Sequence, residues 1–121
     1  MAITNVLAEV TVVDFDAALA WYERLFGRPA DRRPMDGLAE WQVTETDGVQ
    51  VFHDPERGGG AVPTLIVDDL DARIADLAGR GFRPGAITTG EVGRFAIRTD
   101  PEGNTITFAG SLSTDASIDL A

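Results

Sequence analysis

Near the start of the chain, apolar residues recur at every second position. Between residues 6 and 13, every second position carries a small or β-branched apolar side chain: Val6, Ala8, Val10 and Val12. A period of two with β-branched residues is typical of a β-strand that buries one face. The pattern therefore predicts a strand over residues 6–13 with its even-numbered side chains in the core.

The spacing of apolar residues changes to that of a helix just after this strand. Asp16 stands where an N-cap is expected, Gly27 suits the left-handed position after a helix, and Pro29 cannot continue one. We therefore expect a helix from Asp16 to about Phe26. Its apolar stripe consists of Ala18, Tyr22, Leu25 and Phe26.

Turn residues divide the rest of the first half. Asp36-Gly37 and Asp47-Gly48 are hairpin signals, and they bound predicted strands near 38–45 and 49–53. Residues 54–60, DPERGGG, combine a proline with consecutive glycines. We expect this segment to be a flexible linker between two halves of the chain.

The second half repeats the first. The segment VVDFDA recurs as VDDLDA when Asp14 is aligned with Asp69, 55 positions further along. An internal duplication explains this match better than chance, and it predicts the element order βαβββ twice. The second set comprises a strand at 61–67, a helix from Asp71 to Arg80 that buries Ile74, Leu77 and Ala78, strands near 82–88, 93–99 and 105–109, and a tight DPEGN turn at 100–104. The small, polar tail at 111–121 is expected to be poorly ordered.

Composition removes much of the usual catalytic chemistry. The chain has no Cys, all ten basic residues are Arg, and His53 is the one histidine. Thiolate and Schiff-base catalysis are therefore excluded, and so is a two-histidine metal face within one chain. At the end of its strand, His53 is expected to have a turn or edge role.

The formal net charge of −10 argues against nucleic-acid and anionic-membrane partners. The same charge can attract a cationic ligand, or it can simply keep the surface solvated. The sequence has no apolar run near the roughly 18 residues of a membrane span and no signal-peptide pattern. We expect a cytoplasmic protein.

Two motifs carry a resemblance to a known family. The segments VDFDAALAWYERLFG and DPEGNTITF, placed within the repeat, resemble the vicinal oxygen chelate superfamily, which includes glyoxalases, bleomycin-resistance proteins and extradiol dioxygenases. The resemblance covers residues 4 to about 110. It implies one α+β domain in which two tandem βαβββ modules, about 4–57 and 61–110, form a half-open curved mixed sheet with a concave cavity and outer helices. It also implies a homodimer, with the modules paired within one chain or swapped.

Metal-dependent members of this superfamily place His, Glu or Gln at four positions around a divalent ion. The matching positions here hold Leu7, Gln50, Val62 and Thr107. Two of these side chains are aliphatic, and Gln50 with Thr107 is a poor ligand set. We therefore expect no metal and no other cofactor.

Strand parity and the implied cavity select the candidate ligand-binding residues. Parity places Ile97 in the core and Arg98 in the cavity, where Arg98 either orients a ligand or forms a salt bridge with Glu9. Trp41 is either an aromatic wall of the cavity or part of a packed interface. The candidate ligand-binding set is Glu9, Trp41, Gln50, Phe52, Thr64, Arg98 and Thr107.

These observations favour a metal-independent protein that binds a cationic or aromatic small molecule, with sequestration of a drug or metabolite as one form of that role. One alternative is an enzyme of the same superfamily, a lyase, isomerase or dioxygenase. It would be either metal-free, with Glu9 as general acid or base, or dependent on a divergent metal site. The other alternative is a scaffold protein with a closed cavity. The residues favour binding over catalysis because the family's metal-ligand positions lack suitable donors.

Overall fold

The computed structural model of the chain describes residues 2–82, 87–91 and 93–111. Its elements follow the order βαβββ twice, which confirms the prediction from the repeat. The first set is β1 Leu7–Val12, α1 Phe15–Phe26, β2 Arg32–Met35, β3 Leu38–Gln42 and β4 Gly48–His53. The second set is β5 Thr64–Ile66, α2 Leu70–Gly79, β6 Thr88–Thr89, β7 Arg94–Thr99 and β8 Thr105–Gly110.

Some of the predicted segments fall outside the described residues. The predicted tail lies outside them from residue 112 onward, and the predicted strand near 82–88 lies outside them at residues 83–86. Neither helix in the described part of the chain is long and apolar enough to cross a membrane.

The chain divides into two compact units that do not coincide with the two halves of the repeat. The first unit contains the residues up to Ala61 together with Asp100–Asn104. The second unit begins at Val62, omits Asp100–Asn104 and resumes at Thr105. The DPEGN turn between β7 and β8 is therefore part of the first unit.

The first unit is a mixed sheet with α1 on one face. Its strand order is β1-β4-β3-β2, with β1 parallel to β4 and the other pairs antiparallel. The even-numbered side chains of β1 are buried at Val10 and Val12, as the alternation predicts, whereas Val6 precedes the strand and is exposed. Helix α1 contributes Ala18, Tyr22 and Leu25 to the same core.

Helix α1 begins one residue earlier than predicted. The carboxylate of Asp14, rather than Asp16, is the N-cap and accepts a hydrogen bond of 3.1 Å from the backbone N–H of Ala17. Asp16 lies in the first turn, where a carboxylate compensates the helix dipole. Gly27 ends the helix with φ of 73°, in the left-handed conformation that its sequence position predicts.

The second unit is a sheet of order β5-β8-β7-β6 with α2 on one face. Asp69 caps α2 by accepting from the N–H of Ala72 at 3.0 Å. Helix α2 buries Leu70 and Leu77, whereas Ala78 is exposed, contrary to the prediction. Leu70 packs so close to Gly110 that a Cβ there would lie 2.9 Å from the Cβ of Leu70.

The DPEGN turn is held by the buried carboxylate of Asp100. Its Oδ2 accepts the hydroxyl of Tyr22 and the amide of Asn104, each at 2.8 Å, and its Oδ1 accepts two backbone N–H groups of the turn. Burial and this hydrogen bond raise the pKa of Tyr22 far above its ordinary value. The Glu102 carboxylate accepts the N–H groups of Val13 and Asp14. This motif therefore stabilises the first unit around α1.

The glycine-rich segment after β4, predicted to be a flexible linker, makes specific backbone contacts. The N–H of Asp54 donates to Val12 at 3.0 Å, and the N–H of Gly59 donates to Thr11 at 3.0 Å. Gly59 has φ of 84°, and a Cβ at this position would collide with the carbonyl oxygen of Glu102. These glycines therefore allow a close approach to the DPEGN turn rather than only flexibility.

Candidate functional site

The sheet face opposite α1, called here the first open face, carries a row of polar residues. The strand register places Glu9 beside Gln50, Gln50 beside Glu40, and Glu40 beside Arg32. Directly paired residues project from the same face of a sheet. Four neighbouring strands therefore present one continuous polar row, and the sequence analysis identified only Glu9 and Gln50 in it.

Glu40 is the buried charge of this row. Its side chain is 8% exposed, and its Oε2 lies 3.2 Å from Nη1 of Arg32. Its Oε1 accepts from Nε2 of Gln50 at 3.4 Å, a long and weak hydrogen bond. The Arg32 side chain is 69% exposed. The carboxylate thus lies within the protein, and the cation that balances it lies mostly in water.

A pocket of about 300 Å³ lies on this face of the first unit. It contains the carboxylates of Glu40, Glu45 and Asp47 against the single guanidinium of Arg32, so its lining is net negative. Small polar side chains and the apolar Leu7 provide most of its remaining surface. The residues that line it are Thr4, Asn5, Leu7, Arg32, Glu40, Gln42, Glu45, Thr46, Asp47 and Gly48.

Apolar side chains continue the first open face beyond the charged row. Phe52 is paired with Leu38 on one side and with Thr11 on the other. All three are partly exposed, and Leu7 on the same face is 39% exposed. The face therefore combines carboxylates with apolar surface, the composition that small-molecule sites commonly have.

Trp41 lies on the opposite, helix-covered face. It is fully buried, its ring lies 6.1 Å from Tyr22 and 5.5 Å from Phe26, and its indole N–H donates to the carbonyl of Arg28 at 2.9 Å. Of its two predicted roles, the structure shows packing, here between sheet and helix. Because residues alternate along a strand, Trp41 is directed away from the face that carries Glu40.

In the second unit, the open face is the one opposite α2. The register pairs Thr64 with Thr107 and Thr107 with Ile97, so the two predicted threonines do share a face. Ile97 is 53% exposed, and the prediction that it is a core residue is wrong. Because Ile97 lies on the open face, the covered and open positions along β7 are the reverse of those predicted.

Arg98 consequently lies on the helix side, paired with Ile106, and not on the open face with Thr64 and Thr107. It is only 8% exposed. Its Nη1 donates to the carbonyl of Ile97 at 2.8 Å, while Nε and Nη2 have no partner within residues 2–82, 87–91 and 93–111. Within the described residues, the Arg98 guanidinium is therefore not paired with a carboxylate.

Glu9 and His53 are both exposed. The alternative role of Glu9 as general acid or base would require a carboxyl group enclosed by apolar side chains, but Glu9 is exposed. His53 ends β4 with its ring 6.3 Å from Phe15, and its backbone N–H donates to Gly37 at 2.7 Å. This edge position agrees with the role expected for His53.

Asp69 and Asp71 both serve the N-terminus of α2. Asp69 is the N-cap, and Asp71 in the first turn forms two hydrogen bonds with Arg94, at 2.7 and 3.1 Å. These hydrogen bonds hold the pKa of Asp71 below its ordinary value.

The family's metal positions do not fit a divalent ion in this chain. Leu7 and Val62 have no donor atom, and the amide of Gln50 is engaged with Glu40. Among the residues that the structure describes, no group of three or more His, Asp or Glu side chains could hold a metal.

Solved structures identify the family. Neither a family model nor a curated protein matches the sequence. However, the crystal structure of a glyoxalase/bleomycin resistance protein from Catenulispora acidiphila is 37% identical, covers 88% of this chain and 97% of its own, and has a TM-score of 0.81. This chain belongs to the glyoxalase/bleomycin-resistance family. The vicinal oxygen chelate resemblance in the sequence is thereby confirmed.

Other solved structures match nearly the whole chain. An antibiotic-binding protein from a Streptomyces species is 26% identical, with coverage of 92% of this chain and 98% of its own and a TM-score of 0.71. A bleomycin-binding protein solved in complex with bleomycin is 22% identical, with coverage of 90% and 97% and a TM-score of 0.66. The second likeness shows the shared fold alone.

Proposed function

We propose that this protein is a metal-independent binding protein for a cationic small molecule with an apolar or aromatic part. The observation that carries the proposal is the buried carboxylate of Glu40 in a net-negative pocket on the first open face. A buried carboxylate gains most from a cation that is itself removed from water. The overall charge of −10 adds long-range attraction for such a ligand.

The apolar part of the ligand has a matching surface. Leu7, Leu38 and Phe52 lie on the same face as Glu40 and remain partly exposed. The antibiotic-binding relative supports a binding role of this kind. We extend the proposal to sequestration, in which the ligand is held without being converted.

Binding without metal follows from the donor set. Leu7 and Val62 have no donor atom, and the Glu40 carboxylate of the polar row is paired with Arg32. A protein stripped with EDTA should bind its ligand as tightly as untreated protein. Binding that requires an added divalent ion, or stoichiometric metal in the untagged protein, would contradict metal independence.

Three isosteric probes test the charge preference: benzamidine is cationic, benzamide neutral and benzoate anionic. Calorimetric titration should show binding in the order benzamidine, benzamide, benzoate, and the affinity for benzamidine should fall as salt is raised. Metal-free bleomycin serves as a larger ligand. Equal, salt-insensitive binding of the neutral and cationic probes would contradict the proposal.

Glu40→Gln removes the carboxylate while keeping the size of the side chain. It should weaken benzamidine binding about tenfold or more and leave benzamide binding nearly unchanged. Glu23→Gln, on the exposed surface of α1, is the matched control because it changes the net charge equally. An equal loss of affinity in both variants would show only a general charge effect.

Dimerisation stays a prediction from the family resemblance. Light scattering of the purified protein tests it, with a mass near twice the 12.9 kDa of one chain as the expected result. A monomer at the concentrations used for ligand titration would contradict it.

A further inference from the structure

The ion pair between Arg32 and Glu40 is unequal in its exposure to solvent. The Glu40 side chain is 8% exposed, whereas the Arg32 side chain is 69% exposed. Arg32 lies on β2, the edge strand of the first sheet, and all four residues of that strand are exposed. The partner that can move is therefore the arginine.

The contacts of Glu40 leave its charge dependent on Arg32. Gln50 is neutral and its hydrogen bond to Oε1 is long, so Arg32 at 3.2 Å supplies the positive charge. A buried carboxylate is stable only with a counter-charge, so Glu40 requires some cation at this position. Arg32 itself does not depend on the pair, because its exposed guanidinium is well solvated when it leaves Glu40.

Arg32 and Glu40 also both line the pocket on the first open face. A ligand that carries an amidinium or guanidinium group can place a planar cation with two parallel N–H donors at the Glu40 carboxylate, where Arg32 contributes a single contact through Nη1. When such a ligand enters, Glu40 keeps a counter-charge, and Arg32 moves into solvent at little cost. Glu40 thus remains in an ion pair, but the cation is now the ligand and no longer Arg32.

We propose that Arg32 is an internal competitor for the cationic group of the ligand, and that it sets the affinity and selectivity of the site by occupying Glu40 in the free protein. This inference rests on the proposed function, because it assumes that the pocket binds a cation. Arg32 would then determine specificity without binding the ligand, because it competes with the ligand for Glu40 and so weakens binding of the correct ligand. It also keeps weaker cations away from Glu40.

The test compares Arg32→Gln with Arg33→Gln by calorimetric titration with benzamidine. Both variants remove one positive charge from adjacent exposed residues, but only Arg32 contacts Glu40, whereas Arg33 lies 5.4 Å from the ring of Phe15. Arg32→Gln should bind benzamidine roughly two- to fivefold more tightly than wild type, the range that an exposed ion pair can contribute. Arg33→Gln should change the affinity by less than about 1.5-fold, through screened long-range charge alone.

A second readout uses the wild-type protein. During the benzamidine titration, the Nε resonance of Arg32 should move toward that of a solvated arginine as the probe replaces it at Glu40. The inference is overturned if Arg32→Gln binds benzamidine no more tightly than Arg33→Gln, or more weakly than wild type. In either case a wild-type preference for benzamidine over benzamide leaves the proposed function intact. The absence of that preference in wild type and Arg32→Gln alike contradicts the proposed function itself.

Discussion

In the first unit the row across the open face reads Glu9, Gln50 and Glu40, and in the second unit the same register positions read Thr64, Thr107 and Ile97. The pairing is the same: a parallel strand on one side and an antiparallel strand on the other. The chemistry differs, because one row carries two carboxylates and an amide while the other carries two hydroxyls and a hydrocarbon. The duplication thus kept the register and let the exposed side chains diverge.

On the helix-covered faces, the charged residue belongs to the second unit and the uncharged one to the first. Trp41 follows Glu40 along β3, and Arg98 follows Ile97 along β7, so the two residues hold equivalent positions. Trp41 is packed among aromatic rings with its N–H satisfied, whereas Arg98 is buried with two nitrogens unpartnered within the described residues. At this position the first unit has a packed aromatic side chain behind its charged open row. The second unit has a buried, incompletely paired guanidinium behind a neutral open row.

The largest expected effect comes from removing the aromatic core of the first unit. Trp41→Ala should lower the free energy of unfolding by about 3–5 kcal/mol, because a fully buried indole leaves a cavity between sheet and helix. Urea denaturation followed by circular dichroism measures it. Trp21→Ala, on the partly exposed side of α1, is the comparison variant and should cost less. Equal losses would contradict the central role assigned to Trp41.

Arg98→Met tests the equivalent position of the second unit. Because a buried charge without full pairing opposes folding, this variant should have an unchanged free energy of unfolding, or one raised by about 1 kcal/mol or more. Arg98→Lys retains the charge and should show no such gain. A loss above about 2 kcal/mol in Arg98→Met would show instead that the guanidinium is well paired in the folded protein.

The smallest effect concerns surface ion pairs, in which the two units should behave alike. Arg28 lowers the pKa of Asp31 in the first unit, and Arg94 lowers the pKa of Asp71 in the second. A carboxyl whose pKa is lowered on folding stabilises the folded state above its unfolded pKa, here near 3.8, and loses that contribution as pH falls through the folded value.

The difference in stability between wild type and Asp71→Asn should therefore be constant near neutral pH and shrink toward zero in strongly acidic solution. Asp31→Asn should give a curve of the same form. A difference that grows as the pH falls would show that the pKa is shifted in the other direction.

Sequence periodicity predicted most of the fold. The alternation in β1, the caps of the two helices and the internal repeat are local signals, and the structure departs from them by one or two residues. Strand β2 was not located, because its sequence RRPM has no apolar alternation and the strand is exposed along its length. The DPEGN turn was recognised as a motif, but its place in the first unit depends on contacts between residues far apart in the chain.

The site was only partly predictable. Glu9 and Gln50 were placed on one face by parity, but Glu40 was overlooked because it lies between Ala39 and Trp41, which are both buried. Its pairing with Gln50 could have been found by extending the parity of β4 to β3 through the Asp47-Gly48 turn. The parity of β7 was wrong because an isoleucine was taken to be a core residue. In this fold apolar side chains also line the open face, so hydrophobicity alone does not identify the covered face.

Residue-resolved NMR during a benzamidine titration tests the central claim most directly, that the first open face is the ligand site. The account predicts saturable shift changes at the amides of Gln42 and Gly48 and at the side chain of Gln50, with about tenfold weaker affinity in Glu40→Gln. Saturable changes confined to Thr64 and Thr107, with none on the first open face, would contradict it.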